Sequence, residues 1–319
     1  MRVARTLFLS LLPLLAASTL ASGMATVTLR GVNGASAEVA MHGAHVISFT
    51  PDDKSKPVIY TSPTAKFDSA SAIRGGIPIC FPQFGPRGAL PAHGFSRKSD
   101  DWTLVSTDAD LEEKNGSPAK AEFRLADTEA TRASAWPHPF EALYQVSICD
   151  GALRTSFKVT NKGEEDFTFT CALHTYFACG SLNAAVIGLK GSSYEDSLQG
   201  GKVLVEEGDV TFAGEVDRVY GPTPDEVKVS DPDNARSLVL TKDKTFPDMV
   251  VWNPWIEKAK EFGDLPDEAY ADFVCAEVGA IREPVSLKAG ETWEAAQSIR
   301  VEEQKRKRTE DVFSDVVCR

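Results

Sequence analysis

From Met24 to about Val301 the chain is a succession of short apolar or alternating runs, among them VTLRGV, AHVISF, WTLVST, AEFRLAD, LYQVSIC, LRTSFKVT, FTFTCALHTYF, MVVWN, FVCAEVGAI and WEAAQSIRV. Gly, Pro, Asn and Asp punctuate them. A period near two between turn residues predicts β-strands, because side chains of a strand alternate between its faces. Helical periodicity is scarce, WIEKAKEFGDL after Pro254 being the best stretch, and strands do not alternate with long helices as a parallel sheet requires. The pattern therefore predicts an all-β fold, a large antiparallel β-sandwich. No internal repeat and no linker interrupts residues 24–301, which read as one domain.

The two ends read differently. Arg2 and Arg5 precede an apolar run from Leu7 to Leu15, and small residues follow to Gly23, the layout of a cleaved signal or targeting segment over 1–23. The run is too short, and too interrupted by Pro13, for a stable membrane span. Met24 opens MATVTLRG like an ordinary N-terminus, which keeps a cytoplasmic start open beside the secretory or organellar one. Residues 302–319 mix blocks of both charges, including KRKR, and read as a solvated tail.

Charge and cysteine usage narrow the partners. Across 319 residues, 34 basic against 46 acidic side chains give a net charge of −12, which leaves no basic footprint for nucleic acid. With 42% hydrophobic and 25% charged residues, the composition is that of a globular domain rather than a disordered or polytopic membrane chain. The six cysteines are too sparse for a disulfide scaffold and form no Cys-x-x-Cys pair or zinc-type spacing with histidine, so most are expected reduced and buried.

Four stretches can carry chemistry. Alternation over Phe167–Phe177 puts Phe167, Phe169, Cys171 and Leu173 on one face and His174 on the other, where an imidazole can exchange a proton in a cleft; a surface or structural histidine accounts equally for the strand alone. Glu277 interrupts the apolar strand 272–281, so its carboxylate is expected either in an ion pair or facing a cavity as a base. Arg74 precedes Gly75 and Gly76, which would let the backbone approach a ligand closely, and His93 and Arg97 follow in LPAHGFSR. The two arginines can grip an anion such as phosphate, or sit in structural turns; the Walker pattern GxxxxGK[ST] is absent. Trp252 and Trp255, and Trp136 beside Pro137, are expected in loops as sugar platforms or anchors.

Together RGGIPICFPQFG, LPAHGFSR, HTYF, GEVDRVY, NPWIEKA and FVCAEVGAI followed by PVSLKAGETW resemble, in family order from residue 73 to 293, the hexose-6-phosphate mutarotase branch of the aldose 1-epimerase superfamily. The resemblance implies a galactose-mutarotase-like β-supersandwich and a catalytic pair at His174 and Glu277. It implies substrate contacts from Arg74, Arg97, Asp217 and His93, while Ala92 stands where relatives usually have a glutamine. The implied reaction is interconversion of the α and β anomers of a hexose 6-phosphate. Glu277 would act as base on the C1 hydroxyl and protonated His174 as acid on the ring oxygen, with no metal and no organic cofactor. An aldose 1-epimerase acting on unphosphorylated sugar, and a carbohydrate-binding protein without activity, are the alternatives. The expected partner is a small sugar or sugar phosphate, and the expected state a monomer.

Overall fold

In a computed structural model, residues 17–19, 23–105, 111–114 and 116–304 are described. Apart from Ala17–Thr19 and Gly23, the targeting segment expected over 1–23 lies outside the described residues, as does the tail beyond Gln304. The described tail is short, because the last strand, Thr292–Glu303, runs to within one residue of that point.

Alternating apolar residues assemble three antiparallel sheets of four, eight and nine strands among the described residues. The nine-stranded sheet is built on long hairpins such as Phe140–Cys149 with Ala152–Asn161, whose burial alternates strictly. The eight-stranded sheet runs through Val216–Tyr220, Asp248–Asn253, Phe273–Leu287, Phe167–Leu173 and Ile79–Cys80. Between the two large sheets lies the main core, into which Phe169, Cys171, Leu173, Met249, Val251, Val274, Ala276 and Val278 project. Helix is nearly absent: the expected helical stretch after Pro254 is a helix only over Trp255–Ala259, and beyond it Gly263 and Pro266 favour turns.

What matters for function is the opposite face of the eight-stranded sheet. With alternate residues committed to the core, the remaining ones on its central strands, including Asp217, Val219, Val250, Trp252 and Glu277, line a cleft. Register aligns them: Val250 pairs with Glu277 and Asp217 with Trp252. Trp252 is therefore a strand residue rather than the loop residue expected. Trp136 is a loop anchor, its indole N–H donating to the Thr168 carbonyl at 2.8 Å.

Candidate active site

The cleft encloses about 480 Å³, and all six residues singled out in the sequence, Arg74, His93, Arg97, His174, Asp217 and Glu277, line it. His174 directly follows the strand Phe167–Leu173, and its backbone N–H donates to the Pro78 carbonyl at 2.9 Å. Leu173 pairs with Val278, which sets His174 beside Glu277 on the neighbouring strand. His174 Nδ1 is 3.3 Å from Glu277 Oε1. The approach is in ion-pair range but not aligned as a hydrogen bond, since His174 Nδ1 and Glu277 Oε2 are both buried without a hydrogen-bond partner. The imidazole stacks on Tyr176, with centroids 4.8 Å apart and planes 9° from parallel, and meets the edge of Trp252 at 5.8 Å.

Burial governs the protonation of this pair. Glu277 is 1% and His174 7% exposed. Desolvation pushes the carboxyl well above its ordinary range, with Asp217 adding to the shift and Arg97 opposing it. Desolvation pulls the imidazole well below its ordinary value, and His93, Arg97 and Arg74 pull in the same direction. Burial thus favours one proton on Glu277 and a neutral His174, the other tautomer of the carboxylate and imidazolium expected from the resemblance.

His93 is set by a strained turn. Its φ is +68°, and a Cβ on the following Gly94 (φ +67°) would run into the Phe81 carbonyl oxygen. The Gly85 backbone N–H donates to His93 Nδ1 at 3.3 Å, and Cys80 Sγ lies 3.1 Å from the same atom. Burial, with Arg97 and Arg74, lowers the His93 pKa to about 3. The ring is therefore neutral, and an accepting Nδ1 puts its proton on Nε2.

The arginines flank the histidines. Arg74 Nε donates to Asp264 Oδ1 at 3.0 Å, its guanidinium lies 4.3 Å from the centroid of the Phe262 ring, and the Tyr176 hydroxyl is a further partner. Arg97 donates from Nη2 to the Ala92 carbonyl at 3.2 Å, while its buried Nε has no partner. Gly75 and Gly76 do not serve a ligand as expected. A Cβ at Gly75 would sit 2.5 Å from the Tyr60 carbonyl oxygen and one at Gly76 would meet His45, so the close approach is to the protein's own chain. On Asp217, burial and the nearby Asp196 raise the carboxyl pKa, while the Ser197 hydroxyl opposes the shift.

Sequence reasoning overlooked Tyr176, Arg87, Lys258 and Phe262, which also line the cleft. Tyr176 sits in the very HTYF stretch that yielded His174, and its ring and hydroxyl join the histidine to Arg74. Arg87, bound to Glu195 at 2.6 Å, follows Pro86 and carried no motif of its own. Metal-ligand spacing is absent from the sequence, yet the fold gathers His174, Cys275 and Glu277 with ligating atoms within 4.8 Å of one another, all three buried. Cys80, Cys171, Cys179 and Cys275 are buried free thiols, and Cys149 is a half-exposed one.

Residues 25–300 match the family profile described as aldose 1-epimerase. A protein of Cenchrus ciliaris named "Putative glucose-6-phosphate 1-epimerase" is 36% identical over 277 residues, covering 85% of this chain and 83% of the relative. One of the same name from Escherichia coli K12 is 31% identical over 268 residues, covering 83% and 86%. Among solved structures, a Salmonella typhimurium protein described as a "putative mutarotase" superposes with a TM-score of 0.80 at 29% identity, covering 90% of this chain and 93% of that one. The three-sheet antiparallel architecture is thus that of the mutarotases. Among the described residues no helix is long and apolar enough to cross a membrane.

Proposed function

The chain belongs to the aldose 1-epimerase family, and on that premise we propose that its cleft interconverts the α and β anomers of a hexose 6-phosphate, glucose 6-phosphate being the substrate in the names of its curated relatives. The observation that carries this reading is the approach of His174 to Glu277 in a cleft that also holds Arg74 and Arg97.

Anomer exchange needs the C1 hydroxyl deprotonated while the ring oxygen is protonated. The ring then opens, the C1–C2 bond rotates and the aldehyde recloses on its other face. In the loaded tautomer, Glu277 as carboxylate takes the hydroxyl proton and His174 as imidazolium protonates the ring oxygen. Ring opening leaves a protonated Glu277 and a neutral His174, the arrangement that burial favours. A 6-phosphate dianion between Arg74 and Arg97 would offset the positive field on His174 and bring the loaded tautomer within reach. Asp217 and His93, the latter through its Nε2–H, would bind sugar hydroxyls from the cleft wall.

The test is anomer exchange measured by NMR on glucose 6-phosphate and on glucose, for the wild type and for Glu277→Gln. Acceleration with the phosphate ester, lost in the variant, is the expected result. Acceleration with glucose alone would assign an aldose 1-epimerase for unphosphorylated sugar, and measurable sugar binding without acceleration would leave a carbohydrate-binding protein.

A further inference from the structure

Cys275 has no part in the acid/base scheme, yet it is fully buried two residues before Glu277 on the same face of the strand Phe273–Leu287. Its thiol, a ring nitrogen of His174 and a carboxylate oxygen of Glu277 lie within 4.8 Å of one another. Within this group, His174 Nδ1 and Glu277 Oε2 are buried without a hydrogen-bond partner. We propose that His174, Cys275 and Glu277 form a binding site for a soft divalent cation such as zinc or cadmium, and that occupancy switches off the acid/base pair.

The donor set fits. Thiolate, imidazole and carboxylate are the ligand types of zinc, and three protein ligands with one open position form its usual non-structural arrangement. Bonds of about 2.0–2.3 Å place tetrahedral ligands about 3.3–3.8 Å apart. Nδ1 of His174 and Oε1 of Glu277 already stand at 3.3 Å. Cys275 has at most about 1.5 Å to close, which calls for rotation about its Cα–Cβ bond, and cadmium with its longer bonds needs less. His174 and Glu277 both line the cleft, so the fourth position is assigned to that side. Coordination expels to solvent the thiol proton of Cys275 and the proton shared by His174 and Glu277. One dication thus replaces two protons, and the charge facing Arg74, Arg97 and His93 is unchanged. A coordinated His174 and Glu277 can neither give nor take a proton at the sugar.

That occupancy stops catalysis rests on the acid/base reading of the cleft, whereas binding rests on the geometry alone, so the two are measured separately. The full chain, stripped with a chelator and exchanged into metal-free buffer, is titrated with cadmium chloride. Ultraviolet thiolate-to-cadmium charge transfer and calorimetry report binding, and anomer exchange of glucose 6-phosphate reports function. The expected result is one equivalent bound with a thiolate band, weakened by glucose 6-phosphate, with exchange lost in step with occupancy and restored by EDTA. Cys275→Ser should need about tenfold more metal or greater and lose the band. Cys149→Ser, which dismantles the surface group Glu113, Cys149 and Asp150, should change neither. Should Cys275→Ser fold poorly, His174→Gln is read by the binding signal alone and should lose it. Absence of a band, a band that survives Cys275→Ser or His174→Gln, or one removed by Cys149→Ser would overturn the site. Stoichiometric binding with exchange unaffected would overturn the switching claim. A protein that never accelerates exchange but still binds cadmium would refute the proposed function and leave the metal site standing.

Discussion

His174 Nδ1 and Glu277 Oε1 stand 3.3 Å apart, brought together by the pairing of Leu173 with Val278 across adjoining strands. In the proposed exchange they act as one acid/base pair. Replacing either partner should therefore disable the whole unit: His174→Asn and Glu277→Gln are each expected to slow exchange of glucose 6-phosphate by about 10²–10⁴-fold. Because the two groups act together, the double variant should cost little more than the worse single one. Fully multiplicative losses, measured by NMR exchange spectroscopy, would show that they act independently.

Arg97 is the least committed cation of the cleft, with a single side-chain bond to the Ala92 carbonyl and an unpartnered Nε. Arg97→Ala should raise KM for glucose 6-phosphate by about 10- to 100-fold, the worth of one or two lost charge-assisted bonds. Any residual exchange of glucose itself should change far less. Equal losses on both sugars would assign Arg97 to positioning the histidines rather than to binding the phosphate.

Much of this site could be read from the chain because strand periodicity is a local property. Alternation alone turned His174 away from the core, and an isolated carboxylate in an apolar strand marked Glu277. Partnerships across the fold were invisible for the same reason. Nothing near Arg74 in sequence indicates that Asp264 fixes it or that Phe262 lies under its guanidinium. Nor could Gly75 and Gly76 be told apart from a ligand-binding loop until Tyr60 and His45 were seen against them. Cys275 read simply as a buried thiol, since a cluster with His174 depends on how the sheet is paired.

Gly94 tests how far the strained turn holds His93. Its φ of +67° and the Phe81 carbonyl oxygen beneath it exclude a side chain. Gly94→Ala should destabilise the protein by about 1–3 kcal/mol, and it should displace His93 from the Gly85 N–H. Thermal denaturation and the shift of the His93 ring resonances measure the two effects. An unchanged melting temperature would mean that the turn relaxes without cost.

The protonated state of Glu277 makes a prediction about stability that is opposite in sign to the usual one for a carboxylate. Burial raises its pKa in the folded protein above the unfolded value. As the pH rises past about 4.5, the unfolded chain releases this proton first, and folding stability falls until the folded-state carboxyl also ionises. Glutamine in its place does not titrate. The lowered pKa of His174 acts at the acid end, where the unfolded imidazole takes up a proton, and it is present in both proteins. Glu277→Gln should therefore gain little at pH near 4 and progressively more toward pH 8. The gain should reach about 1–3 kcal/mol, the cost of a poorly satisfied buried polar group, or about 2–4 °C in Tm for each kcal/mol. Melting curves at three pH values decide the matter: a margin that is flat or shrinks as pH rises would mean that Glu277 is ionised in the folded protein.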